Sequence, residues 1–133
     1  MNTLTSKALG ELFSHGSRWL ANLRRAKTAR KQESVEALRK VIVAARETAV
    51  YLRRLHDSGK RDHEIERNLA VLWTELAFTL EDLGLNKLAK RCQIKGRHWA
   101  DPGHYDNDFL EKSDTSLERV EKLARDMLAE IRR

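Results

Sequence analysis

One stretch, Glu64–Leu83 (EIERNLAVLWTELAFTLEDL), constrains this chain more than any other. Ile65, Leu69, Leu72, Leu76 and Leu83 recur on three- and four-residue spacing, with Leu80 beside them, which places them along one stripe of a helix. Ala70, Val71, Trp73, Ala77 and Phe78 widen that stripe well beyond a narrow seam. A helix apolar over most of its girth belongs inside a bundle, so the sequence predicts that the other segments form its cover.

Composition agrees. A chain of 133 residues suits one domain, able to bury roughly two-thirds of the surface its unfolded form exposes. A single Pro, six Gly and a 35% charged fraction rich in Lys, Arg and Glu favour helices and argue against a sheet. The one cysteine, Cys92, cannot form an internal disulfide, and no apolar run approaches the ~20 residues of a spanning helix. A cytoplasmic protein is expected.

Segment by segment, Thr3 to about Lys31 reads as a first amphipathic helix with Leu9, Leu12, Trp19, Leu23 and Ala26 in line and a break near Gly16. Ser34 caps a second helix to about His56, whose seam is Val35, Leu38, Ile42, Ala45, Ala49 and Leu52. Asp57, Ser58 and Gly59 turn the chain and Asp62 caps the third helix, making an antiparallel hairpin. Gly84 stops that helix. Asn86 opens a short piece in which Leu85, Leu88, Ala89 and Cys92 cover the bundle end, and Lys95–Asn107 reads as a loop because it holds Gly96, Pro102 and Gly103. Trp99 and Tyr105 pin that loop. Thr115 and Glu118 match a capping box for the last helix, with the stripe Leu117, Val120, Ala124, Met127 and Ile131. The expected fold is all-α: a four-helix bundle-like domain over 1–133 with an antiparallel central hairpin, one extra short helix and an aromatic loop before the last helix.

Charge is sorted along the chain. Residues 1–32 carry seven basic side chains and one acid, Glu11, whereas the remaining 101 residues carry 19 of each sign. The whole net charge of +6 therefore lies on the first segment. Arg18, Arg24, Arg25, Lys27, Arg30 and Lys31 suit an anionic partner, such as a phosphate backbone or an anionic membrane surface. Trp19 in the same segment fits the helical stripe better than a base-stacking role.

The reactive side chains cluster between Arg91 and Asp108. Cys92, His98 and His104 are ligand types for a transition metal, but gaps of five residues match no known zinc spacing. Arg91 and His98, separated by six residues, resemble in spacing the Arg and His pair of the helical ribonucleases called HEPN domains. That resemblance implies a helical bundle that cleaves RNA, His98 moving a proton from a 2′-hydroxyl and Arg91 stabilising phosphate charge. Cys92 after the arginine, where the family has a polar residue, and Gly96 between the pair depart from its pattern. No glycine-rich phosphate loop, nucleophile elbow or His-Glu zinc helix occurs.

The residues thus point first to a non-enzymatic helical interaction module, an adaptor or small subunit without a cofactor or evident small-molecule substrate. It presents a basic first helix to a protein partner or to a second copy. The alternatives are a nucleic-acid-binding subunit of a ribonucleoprotein or defence-type complex, and a HEPN-like ribonuclease.

Overall fold

The structure, a computed structural model, describes residues 16–103 and 116–132, with side chains described from Ala29 onward. The described residues form four helices and no strand: α1 (Gly16–Ser58), α2 (His63–Asp82), α3 (Asn86–Ala100) and α4 (Leu117–Ile131). The expected all-α, bundle-like class is what the helix packing displays. The chain divides into two compact units, Met1–Gln32 and Glu33–Arg133. In the first unit, residues 16–32 are helical, so no break follows Gly16. Leu9, Leu12 and the rest of the segment before Gly16 lie outside the described residues.

Ser34 does not cap a second helix. It is a buried interior residue of α1, 8% exposed. Arg30, Lys31, Gln32 and Glu33 are strong helix formers with neither Gly nor Pro among them, so nothing local ends the helix before the serine. Its small side chain fits the packed face instead.

In the second unit, α1 and α2 form the expected antiparallel hairpin, since Thr48 meets Trp73 while Tyr51 meets Glu66. Gly59, at φ +68°, closes the end of α1 through a bond from its N–H to the Leu55 carbonyl, and Asp62 caps α2 by accepting from Ile65 N at 3.1 Å. The seam of α1 is rotated from the expected one. Leu38 and Ala45 are buried as expected, but Val41, Ala44, Thr48 and Tyr51 complete the line, while Ala49 and Leu52 are exposed and Ile42 is half-buried. Thr48 and Tyr51 can displace aliphatic neighbours because their polar atoms are satisfied. Thr48 Oγ1 donates to the Ala44 carbonyl at 2.7 Å and accepts from Trp73 Nε1 at 3.0 Å, which lets the whole indole go inside.

α2 buries Leu69, Trp73, Leu76, Ala77 and Leu80, but it is not covered on most sides. Val71 is 49% and Phe78 61% exposed, so the wide apolar girth leaves one face uncovered by the described residues. Gly84, at φ +78°, ends the helix as expected, and α3 folds back along α2.

The largest difference lies in α3. It continues through Lys95, Gly96, Arg97, His98 and Trp99, all expected to be loop. Gly96 serves close approach, not flexibility: a Cβ there would sit 2.3 Å from Thr74 Oγ1 and 3.1 Å from the Thr74 backbone N. Leu88, Ala89, Cys92 and Trp99 fill the face toward the core. Tyr105 and the rest of the expected loop up to Asn107 lie outside the described residues beyond Gly103. α4 starts after Ser116, which makes no side-chain capping bond, and buries Val120 and Ala124 with Leu117, Leu123, Met127 and Ile131 alongside. Thr115 is not described.

Candidate functional site

α3 carries Lys87, Arg91, Ile94 and His98 at steps of four, three and four, which is one face of a helix. Across from this face, α4 presents Arg119, Lys122, Leu123 and Asp126. Lys87, Arg91, Arg119 and Lys122 line an open groove of about 250 Å³ between the two helices, with Asp126 the one acid on its wall. Arg91 is half-buried, and its guanidinium donates through Nη1 to the Lys87 carbonyl at 3.0 Å, which draws it along its own helix. Asp126 Oδ2 takes Lys122 Nζ at 2.7 Å. Lys122 is thus paired within the groove.

Because α3 is unbroken at Gly96, Arg91 and His98 share a face two turns apart, roughly 10 Å along the axis. His98 packs edge-on against Trp99 with ring centroids 5.0 Å apart, and Trp99 in turn meets Tyr51 at 5.7 Å. The indole N–H of Trp99 is buried without an acceptor among the described residues.

The metal candidates are not brought together. Cys92 and His98 are six residues apart, about 120° round the helix, so they point to different faces. Cys92 is buried, and its thiol is pushed up to about 12 by that burial, with Lys95 pulling the other way. It stays a protonated core side chain and a poor ligand. His104 lies outside the described residues. Among the described residues no three His, Cys, Asp or Glu side chains are grouped to hold a metal ion.

Of the basic residues in the first segment, Arg18, Arg24, Arg25 and Lys27 fall within α1 at positions whose side chains are not described. Arg30 and Lys31 are exposed. By helical register Arg24, Lys27, Arg30 and Lys31, at i, i+3, i+6 and i+7, share one broad face, and Arg18 with Arg25 falls off it.

Two buried ionisable groups had no signature in the sequence. Glu66 is 4% exposed at the mouth of the hairpin. It accepts from Arg61 Nε at 3.0 Å, from Arg61 Nη2, and from the Tyr51 hydroxyl at 2.5 Å, while Tyr51 Oη accepts from Asp62 N at 2.9 Å. Arg61 holds the Glu66 carboxyl below the usual carboxylate range, burial opposing it and the tyrosine bond assisting. Burial and the carboxylate beside it raise the Tyr51 hydroxyl. The network fixes the turn. Lys95 is 5% exposed, and burial lowers its amine to about 8 although Glu118 acts to raise it.

A second groove, about 380 Å³, lies on the hairpin and is lined by Glu47, Val50, Tyr51 and Arg54 of α1 and by Ile65, Asn68, Leu69 and Leu72 of α2. Compared with protein-family models, with curated proteins and with solved structures, the chain matches none of them.

Proposed function

We propose that this chain is a non-enzymatic helical interaction module that holds an anionic partner in the groove between α3 and α4. One observation carries the reading: two helices turn Lys87, Arg91, Arg119 and Lys122 toward a shared groove. Basic side chains gathered on one rigid surface attract an anion, and an arginine fork suits a phosphate or carboxylate. A phosphate backbone is the first probe. Labelled single- and double-stranded oligonucleotides are titrated at 50 and 200 mM salt with the native chain and with Lys87→Glu/Arg119→Glu. Binding that weakens steeply with salt and is lost in the double variant supports a nucleic-acid partner. If the native chain binds neither oligonucleotide nor an acidic polypeptide at the lower salt, the reading fails.

A second reading, an RNA-cleaving domain, is supported by the shared face of Arg91 and His98 on an unbroken α3. In it His98 moves the proton and Arg91 steadies the phosphate. Incubating the same RNA with the native chain and with His98→Ala decides it; uncut RNA, or equal cutting by both, removes it.

A further inference from the structure

We infer that the groove on the α1–α2 hairpin docks a second copy of this chain, about a twofold axis that sets Glu47 of each copy against Arg54 of the other. The groove is distinct from the basic one. Its floor is apolar, made by Ile65, Leu69 and Leu72 at the i, i+4, i+7 spacing of a helix face, and its lip is Val50. Val50 is 58% exposed, and Val43, one heptad earlier on the same line of α1, is 54% exposed. Within the chain α3 packs elsewhere: Thr74, which meets Gly96, is two residues from Leu72 and so lies on the far side of α2.

The charges on this face select the occupant. Glu47 and Arg54 are seven residues apart on one side of α1, about 10 Å along its axis, too far to pair with each other. Neither makes an ion pair among the described residues. A twofold axis across α1 near Val50 and Tyr51 reverses the partner's helix, bringing Glu47 opposite Arg54 of the partner subunit and Arg54 opposite the partner's Glu47. Val50 then meets the partner's Val50 over the apolar floor. A groove whose one acid and one base, Glu47 and Arg54, are exchanged by a twofold axis is complementary to itself, which is the requirement of an isologous dimer. An anionic ligand would match only half of this pattern. The hairpin face, about 30 Å long and two helices wide, approaches the ~800 Å² per partner of a stable interface.

Sedimentation velocity on the full chain, across a wide concentration series, tests the inference. The native chain is expected to be a dimer at high concentration. Glu47→Arg alone and Arg54→Glu alone each set like charges face to face and should weaken the dimer at least about tenfold. The double variant Glu47→Arg/Arg54→Glu, with the charges exchanged, should return it to near the native strength. Circular dichroism establishes that each variant keeps its helices; both positions are exposed, so it should. A native chain that stays monomeric throughout overturns the inference, whatever else then fills the groove. So does a dimer that ignores all three variants, since it uses another face. Because the cations of the α3–α4 groove are untouched, the oligonucleotide titration stands or falls separately.

Discussion

Gly96→Ala separates a glycine that tolerates a helix from one that a helix pair requires. In an ordinary helix interior this substitution stabilises by about 1 kcal/mol, because glycine loses more backbone freedom on folding. At position 96 the added methyl meets Thr74 Oγ1 at 2.3 Å, the Thr74 backbone N at 3.1 Å and its Cα at 3.3 Å. Rotating the threonine does not relieve this, since a β-branched side chain exchanges one heavy atom for another and the backbone contacts remain. Over-packing of this kind costs about 1–3 kcal/mol. The strain outweighs the propensity gain, leaving a net loss of about 1 kcal/mol, or about 4 °C in Tm for a chain of this size. Urea unfolding followed by circular dichroism reads the change. In a Thr74→Ala background the shortest clash is gone, so Gly96→Ala should cost less there, a coupling of at least about 0.5 kcal/mol. If Gly96→Ala raises stability in the native background, α2 and α3 do not approach as described.

Lys95→Met is expected to stabilise the protein at pH 7 by about 1–3 kcal/mol, because it replaces a charge that burial disfavours with a side chain of similar length. The linked pH effect has a definite sign. The amine titrates at about 8 in the folded chain against 10.5 ordinarily, so the unfolded chain holds more protons between those values and native stability rises from pH 8 to 10.5. Lys95→Met should lose that rise, and an unchanged slope would contradict the burial of the amine. Tyr51→Phe removes the donor to Glu66 and the acceptor for Asp62 N, at a cost of about 1–3 kcal/mol in thermal or urea unfolding. No loss there would mean the network is not closed in solution.

Periodicity and turn chemistry made the hairpin legible. Gly59, Asp62 and Gly84 are positions where backbone conformation or a cap demands a particular residue type, and each behaves as its type implies. The seam of α1 was misread by one position because counting apolar residues favours Ala49 and Leu52 over Thr48 and Tyr51. Tertiary hydrogen bonds from Trp73 and Glu66 reverse that preference, and they link residues 25 and 15 positions apart that no local pattern connects. Gly96 misled in the other sense: read as a breaker, it is a contact made possible by Thr74 on another helix. For the basic groove, half the signal was present, since Lys87 with Arg91 and Arg119 with Lys122 are spaced as helical neighbours. Their convergence depends on how α4 lies against α3, which spacing alone does not fix. The buried Glu66 and Lys95 had no signature at all among so many charged residues.

The packing of the hairpin, and with it the self-complementary surface, depends on how α1 is turned against α2. Thiol labelling of native protein tests this most directly, with Cys92, fully buried, as the internal reference. Ala44→Cys, at a position 1% exposed, should label as slowly as Cys92, and Ala49→Cys, at an exposed position, should label about as fast as an unfolded chain. Rapid labelling at 44 with protection at 49 would place the helix in the other register and contradict the account.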